Sequence, residues 1–240
     1  MVAVPARAPG DAVAGMRTLG ERSSTSEQAA DALRRHITDG LLRPGAQLRE
    51  EAVAAALGIS RNTVREAFRA LSREGLVEHT LHRGVFVRRI SAADVVDIYR
   101  TRRMLEPLGL RAIVADPAPL GALTQNVATA EAAAEAGDWA AVGTADIAFH
   151  RILVDACGSD RINRWFDQLF AELRLAFAAI DEPRALHEPY VGRNGRLVWF
   201  VAARKADEAC AELDAYLRDA EAQILAALSP PGPRAPSHPR

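Results

Sequence analysis

The sequence predicts a mainly α-helical protein, with a winged helix-turn-helix unit followed by an all-α helical bundle. Three observations predict it. A short helix, a glycine-containing turn and a second helix follow one another over residues 50–73, and two short β-rich runs come after them. From 94 to 228 the pattern is helical almost throughout. Residues 25–90 carry 11 Arg against 8 acidic residues, whereas residues 91–228 have a net charge of −7. A basic section joined to an acidic one predicts a polyanion-binding module attached to a second domain.

The composition is typical of a soluble globular protein. Hydrophobic residues make up 49% of the chain and charged residues 25%, which is enough for a large core. No apolar stretch has the ~18 residues of a membrane span, and the start lacks the apolar run of a signal peptide. The two cysteines, Cys157 and Cys210, are far apart and form no C-x-x-C motif. This argues against a disulfide framework and a thiolate zinc site, so we expect a cytoplasmic protein.

Composition and turn signals divide the chain into four parts. We expect disordered tails at 1–24 and 229–240, a first domain at 25–90 and a second at 91–228. The first domain should contain helices at about 26–39, 50–57 and 61–73, with the hairpin around His82-Arg83-Gly84. The second should contain about six helices, broken at Asp116-Pro117, Gly137, Gly158, residues 181–190 and near Arg204.

The helix at 61–73 has two faces of opposite character. Ser60 stands where an N-cap belongs. At 100° per residue, one arc is apolar and the other basic or polar; the apolar arc holds Val64, Ala67, Phe68 and Leu71, and the polar one holds Arg61, Asn62, Arg65, Arg69 and Arg73. The apolar arc would dock the helix, and the other could neutralise phosphates and donate to base edges. A solvated, arginine-rich helix of an unrelated bundle would show the same pattern.

The stretch "LGISRNTVREAFRALSREGLVEHTLHRGVFV" resembles the DNA-binding domain of GntR-family bacterial transcription regulators. The match lies in Ser-Arg-x-x-Val-Arg-Glu-Ala (60–67), Glu-Gly-Leu-Val (74–77) and the Arg-Gly wing tip (83–84). The resemblance implies that Arg61 and Arg65 contact bases or adjacent phosphates. It also implies that Asn62 and Thr63 secure the helix tip to the DNA backbone, and that the wing enters the minor groove.

This resemblance implies a DNA-binding set with one departure from the family. Its members are Arg49, Ser60, Arg61, Asn62, Thr63, Arg65, Arg69, His82, Arg83 and Gly84. Glu51 stands where several relatives have an arginine that contacts DNA, and nearby Arg49 could take its place.

Polar residues lie on the apolar faces of four predicted helices of the second domain. Asp146 and His150, four residues apart, fall among Val142, Phe149 and Leu153. By the same arithmetic Arg102 and Glu106 share the apolar face of their helix, Asn194 lies with Leu197 and Val201, and Tyr216 lies with Leu213 and Ile224. Because a buried carboxylate needs partners, the pattern predicts a polar-lined cavity, with a hydrogen-bond network, a metal or a ligand to satisfy Asp146.

Residues 94–228 resemble the helical FCD effector domain of the FadR branch of the GntR family. The resemblance lies in "DIYRTRRMLEPLGLRA", "ADIAFHRILVDACGSDRI" and "RLVWFVAARKADEACAELDAYL". Many FCD domains bind a divalent metal, Zn or Ni, through one Asp and three His. Asp146 and His150 match two ligands, but Asn194 and Tyr216 replace the other two histidines. We therefore favour a metal-free pocket over a metal site, although His187, in the predicted loop 181–190, could supply a ligand.

The resemblance also implies an effector site for a small carboxylate. Its residues would be Arg102, Asp146, His150, Asn194 and Tyr216, with Arg102 anchoring the carboxylate. Arg102 could instead form an internal i,i+4 pair with Glu106.

Together these features predict a ligand-responsive transcription regulator, most often a repressor in this family. It would bind a near-palindromic operator on double-stranded DNA as a homodimer. Two alternatives are a constitutive DNA-binding regulator with a decayed pocket and a metal-dependent hydrolase using Asp146 and His150. The sequence has no G-x-S-x-G, H-E-x-x-H or phosphate-binding glycine loop, which argues against the hydrolase.

Overall fold

The structure, a computed structural model, describes residues 24–38 and 40–228. The order of its elements is α1 Thr25–Thr38, β1 Gln47–Leu48, α2 Glu50–Leu57, α3 Arg61–Arg73, β2 Val77–Thr80, β3 Gly84–Val87, α4 Ala92–Ala115, α5 Leu120–Glu135, α6 Trp139–Asp155, α7 Asp160–Ala178, α8 Pro183–Ala202 and α9 Ala206–Leu228. This confirms the predicted winged helix-turn-helix followed by a helical bundle. The predicted tails lie outside the described residues, apart from Ser24, and the division at residue 90 stays a prediction.

The first part, called the head below (residues 25–90), has a core formed by one face of each helix and the sheet. Val64, Phe68 and Leu71 of α3 are fully buried there against α1 and the strands. Gly58 ends α2 in the left-handed region at φ 65°, which allows the chain to turn directly into α3. The apolar arc predicted for α3 is therefore the face on which it docks.

The sheet of the head has one strand more than the predicted hairpin. β2 and β3 pair antiparallel, and β1 pairs antiparallel with β3 on the other side. β1 has only two residues, which is too short for apolar and polar residues to alternate visibly. The predicted β-hairpin is thus the wing, tied at its outer edge by β1.

The second part, called the bundle below (residues 91–228), consists of α4–α9 within the described residues. α4 opens with a capping box between Ser91 and Asp94, which satisfies backbone N–H groups at its first turn. Gly109 allows α4 to approach α6 closely, since a Cβ there would collide with the carbonyl oxygen of Leu153. This close approach brings the middle of α4, around Glu106, next to His150 on α6.

One helix belongs to both cores. Phe166, Phe170 and Leu173 of α7 pack in the bundle, whereas Leu175 is fully buried in the core of the head. Arg88 adds an ion pair across the same junction with Glu172, at 3.0 Å. α7 therefore connects the two parts mechanically.

The predicted loop over 181–190 is wrong in its extent: the break between α7 and α8 covers only residues 179–182. Helix α8 begins at Pro183, where proline is tolerated because the first N–H groups of a helix have no partner. Pro189 lies inside the helix and cannot donate to the carbonyl of Ala185; Gln223 of α9 donates to that oxygen instead, at 2.6 Å. His187 accordingly lies on a helix and is buried, not in a flexible loop.

None of the described helices combines the length and apolar character needed to cross a membrane.

Candidate functional site

The start of α3 is fixed by a side-chain cap. The Ser60 hydroxyl accepts a hydrogen bond from the backbone N–H of Thr63 at 3.1 Å. Arg61 and Asn62 are exposed on this first turn, and Arg65 and Arg69 are exposed further along the same face. Since the opposite face is fully buried, the helix presents a basic and polar surface outward.

The arginines of this surface are paired with carboxylates. Arg61 contacts Glu51 at 2.9 Å, and Arg65 donates to Glu50 at 2.8 Å; both glutamates belong to α2. Arg69 donates to Glu66, one turn earlier on α3, at 2.6 Å. All three arginines keep more than half of their side chain exposed, at 61%, 57% and 66%. Such exposed pairs contribute little to stability and exchange easily for other partners.

The tip of the wing projects into solvent. His82 and Gly84 have positive φ angles of 60° and 100°, which close the tight turn between β2 and β3. His82, Arg83 and Gly84 are exposed, and Gln47 donates to the carbonyl oxygen of Arg83 at 2.8 Å. Arg49, at the start of α2, is exposed as well. Of the ten residues predicted for DNA binding, Thr63 alone is partly buried.

At the centre of the bundle, Glu106 is the common acceptor of two buried side chains. Arg102 donates to Glu106 from Nε at 2.6 Å, and the Nδ1 of His150 lies 2.7 Å from the other carboxylate oxygen. The three side chains are 2%, 0% and 1% exposed. The internal pair of Arg102 with Glu106 is therefore present. The link to His150, 44 residues away, has no local sequence signal beyond the shared apolar face.

The other predicted residues meet at Asp146. Its Oδ1 accepts from the hydroxyl of Tyr216 at 2.6 Å and from the side-chain amide of Asn194 at 3.1 Å. The Nε2 of His150 lies 3.9 Å from the same oxygen. The five residues proposed for the effector site thus form one cluster with Glu106, called the polar cluster below.

Burial and hydrogen bonding set the charge states in the polar cluster. Burial by itself would raise the pKa of Glu106, but Arg102 and His150 outweigh it, so the pKa lies below its ordinary value. In the same way His150 and the Tyr216 hydroxyl outweigh burial and lower the pKa of Asp146. Burial and the neighbouring Asp146 raise the pKa of Tyr216 well above 10. Asp146 is thus a carboxylate and Tyr216 a neutral phenol at neutral pH.

Three atoms of the polar cluster are buried without a hydrogen-bond partner among the described residues. They are Arg102 Nη2, His150 Nε2 and Asn194 Oδ1. A buried polar atom without a partner is costly, so each marks a position where a water or ligand atom would be favourable. Of the three residues, Arg102 lines a cavity together with Tyr99, Asp146 and Tyr216 among others, and this cavity leaves only about 10 Å³ for the centre of a water molecule. That is room for about one water.

A larger cavity, of about 440 Å³ by the same measure, lies between the head and the bundle. Thr38 and Arg43 line it from the head. Phe177 and His187 line both cavities and separate them; their rings are in edge contact, with centroids 5.0 Å apart. Burial lowers the pKa of His187, although Asp146 acts in the opposite direction. These two side chains form a partition between the polar cluster and the head.

The donors of the polar cluster do not fit the metal that the resemblance implies. The Tyr216 phenol stays protonated and donates to Asp146, and Asn194 presents its N–H₂ group to the same oxygen. Within residues 24–38 and 40–228, no three His, Cys, Asp or Glu side chains are grouped so that they could hold an ion. Asp146 and His150 alone fall short of the three or four ligands that zinc requires.

Two family models match the chain. One, described as bacterial regulatory proteins of the gntR family, matches residues 25–87, and the FCD domain model matches residues 97–219. Together they cover the polar cluster and all but the last three residues of the head. The family they indicate consists of transcription regulators, not enzymes.

Relatives and solved structures agree with these matches. A probable D-xylose utilization operon transcriptional repressor of Paenarthrobacter nicotinovorans is 33% identical over 166 residues, which cover 68% of this chain and 73% of the relative. A GntR transcriptional regulator from Rhodococcus sp. RHA1 is 41% identical with a TM-score of 0.82, covering 86% of this chain and all of the other. Escherichia coli McbR/YncC has the same fold at 20% identity, with a TM-score of 0.74 over 87% of this chain and all of the other.

Proposed function

The chain belongs to the GntR family of bacterial transcription regulators, in the group with an FCD domain, and we propose that it is a repressor released from its operator by a small carboxylate. The observation that carries the proposal is the pairing of two features in one chain. An exposed arginine face on a capped helix is joined, through α7, to a buried polar cluster with three unsatisfied atoms.

DNA binding would use the exposed face of α3. A recognition helix reads base edges mainly with its N-terminal residues, and here Arg61 and Arg65 would do so, while Asn62 and Thr63 would secure the helix tip to the DNA backbone. Arg69 and Arg49 would contact phosphates, and the wing residues His82 and Arg83 would reach the adjacent minor groove. Arg65 and Arg69 keep more than half of their side chains exposed, so a phosphate or base can replace their glutamate partners at low cost.

Two copies of the chain would bind together. A homodimer places two recognition helices in successive major grooves, about one helical turn apart, and therefore favours a near-palindromic operator. The protein would act where the DNA is, in the cytoplasm.

The effector would bind at the polar cluster. The unsatisfied Nη2 of Arg102, which lines the cavity, would donate to its carboxylate. His150 Nε2 and Asn194 Oδ1, which lie behind the cavity lining, would hold a hydroxyl or a second polar group once the cavity is enlarged. Because the cavity has room for about one water, a larger ligand would enlarge it by displacing Phe177 and His187, which form its wall on the side of the head.

That displacement provides a route to the head. Phe177 lies on α7, two residues after Leu175, which is buried in the core of the head. A ligand that moved Phe177 would therefore shift α7 against α1 and the core of the head, and so change the position of the DNA-binding surface.

A two-stage binding experiment tests the proposal. Duplexes selected from a random-sequence library by the full-length protein would serve as operators. Carboxylic acids of two to six carbons would then be screened for a rise in melting temperature and for release of the selected duplex. We expect at least one acid to do both, and Arg102→Gln to abolish both effects. Arg100→Gln, on the exposed side of the same helix, is the matched control and should change neither.

Two outcomes would contradict the proposal. If no acid changes the melting temperature or DNA binding while the selected duplex is bound tightly, the chain is a constitutive regulator. If the protein prefers no duplex at all, the DNA-binding part of the proposal is wrong.

A further inference from the structure

The ion pair between Glu51 and Arg61 differs in position and exposure from the other two ion pairs on the outward face of α3. It joins the second residue of α2 to the first residue of α3, at 2.9 Å. Glu51 is 72% exposed, whereas Glu50 and Glu66, which hold Arg65 and Arg69, are 32% and 47% exposed. Glu51 is thus the most exposed carboxylate of the three, at the end of α3 that reaches the bases in this fold.

A carboxylate at this position weakens DNA binding that depends only on contacts with phosphates. It offsets the charge of Arg61 and repels phosphate oxygens that approach the same surface. It also restricts the guanidinium, so that fewer orientations are open to it on an arbitrary stretch of DNA. Both effects weaken binding to any duplex unless hydrogen bonds to the bases compensate for them.

A G·C base pair can form such compensating hydrogen bonds. In the major groove a G·C pair presents the O6 and N7 acceptors of guanine next to the N4 amino donor of cytosine. Arg61 still has N–H groups for the guanine, and Glu51 has a second oxygen for the cytosine amino group, since their contact joins one Nη to one Oε. Donors and acceptors of the side-chain pair therefore match those of the base pair.

We propose that Glu51 determines operator specificity: together with Arg61 it recognises a G·C base pair and disfavours binding without sequence preference. This inference rests on the proposed DNA-binding function.

The chain provides a closely matched control. Asp207 is also the second residue of its helix, α9, and also pairs with an exposed arginine, Arg111, at 2.8 Å. It lies in the bundle, outside the proposed DNA-binding surface. Asp207→Asn therefore removes the same kind of exposed ion pair at the same helix position without touching the head.

The experiment uses the full-length protein and two 30-base-pair probes. The first is the duplex selected by the wild-type protein from a random library, and the second is a scrambled duplex of equal composition. Fluorescence anisotropy gives Kd for the wild type, Glu51→Gln and Asp207→Asn over a series of salt concentrations. A circular dichroism spectrum and a melting curve of each variant show that it is folded.

We expect Glu51→Gln to bind the scrambled duplex about 5 to 10 times more tightly than the wild type. Its slope of log K against log salt should be steeper by about one per subunit, since Arg61 becomes free to neutralise a phosphate. Its preference for the selected duplex should fall at least tenfold. Asp207→Asn should match the wild type throughout.

A second arm tests the base pair itself. Each G·C pair of the selected duplex is changed in turn to A·T; at one position per half-site the wild type should lose about tenfold in affinity and Glu51→Gln distinctly less. Glu51→Arg, which reverses the charge at this position, should select a different base there.

The inference is overturned if Glu51→Gln changes Kd for both probes by the same factor, or for neither, while the wild type keeps its preference. A wild-type protein without any preference between the probes would instead contradict the proposed function itself.

Discussion

The head and the bundle use the same kind of side-chain pair in opposite surroundings. On the head, Arg61 and Glu51 are 61% and 72% exposed; in the bundle, Arg102 and Glu106 are 2% and 0% exposed. An exposed pair contributes only about 0–1 kcal/mol and exchanges partners readily, whereas breaking a buried pair costs about 3–5 kcal/mol. The head therefore presents charges that can be transferred to DNA. The charges of the bundle stay in place unless a ligand satisfies them.

The largest effect expected from this comparison is the loss of Glu106. Glu106→Ala leaves Arg102 and His150 buried without their common acceptor, so the free energy of unfolding should fall by about 3–5 kcal/mol. Urea unfolding of the full-length protein measures it. Glu188→Gln is the control, since Arg184 and Glu188 form an i,i+4 pair of the same type that is exposed, and it should leave the free energy of unfolding nearly unchanged. Equal losses of unfolding free energy in the two variants would contradict the expected difference between buried and exposed pairs.

Asn194→His combined with Tyr216→His should create a metal site in the bundle. Asn194 and Tyr216 both reach Asp146, so the two new imidazoles together with Asp146 and His150 would provide four ligands. Zn²⁺ or Ni²⁺ at about 100 times Kd should stabilise the double variant by about 2.7 kcal/mol. The melting temperature of the wild type should respond neither to these ions nor to EDTA; a response would show that the wild-type cluster binds metal.

A smaller effect is expected from the Tyr216 hydroxyl. Tyr216→Phe removes a hydrogen bond to a charged group, so it should cost about 1.5–3 kcal/mol at pH 7. The raised pKa of Tyr216 adds a pH dependence. A phenol whose pKa is higher in the folded state stabilises the fold fully below its unfolded pKa of about 10, and this contribution is lost as the pH rises.

Urea unfolding between pH 7 and 11 checks this prediction. The free energy of unfolding of the wild type should fall above about pH 10, and that of Tyr216→Phe should fall less. Burial also raises the pKa of Tyr190, to about 12, so some loss remains in the variant. Parallel curves for the two proteins would mean that Tyr216 is not held neutral by its surroundings.

The sequence could predict those features that depend on interactions between residues close together in the chain. The Ser60 cap, the two arcs of α3 and the burial of Arg102, His150, Asn194 and Tyr216 depend on neighbours within one or two helical turns, so periodicity was enough. The loop predicted for 181–190 was wrong because Gln223, far along the chain, compensates for Pro189.

The pairing of charges on the head was not predictable in the same way. The contacts of Glu50 and Glu51 with α3 depend on how α2 crosses that helix, which no local pattern specifies. In the bundle, helical spacing alone indicated that Glu106 could pair with Arg102. The role of Glu106 as a shared acceptor required the packing of α4 against α6 at Gly109.

The central claim, that exposed and exchangeable arginines of α3 bind DNA, is tested most directly by comparing Arg65→Ala with Arg218→Ala. Both arginines are exposed and paired with a carboxylate at 2.8 Å, Arg65 on the head and Arg218 on α9. Binding of the selected duplex should weaken about 10- to 100-fold in Arg65→Ala, and its salt slope should fall by about one per subunit. Arg218→Ala should bind like the wild type. An unchanged Kd for Arg65→Ala would contradict the claim.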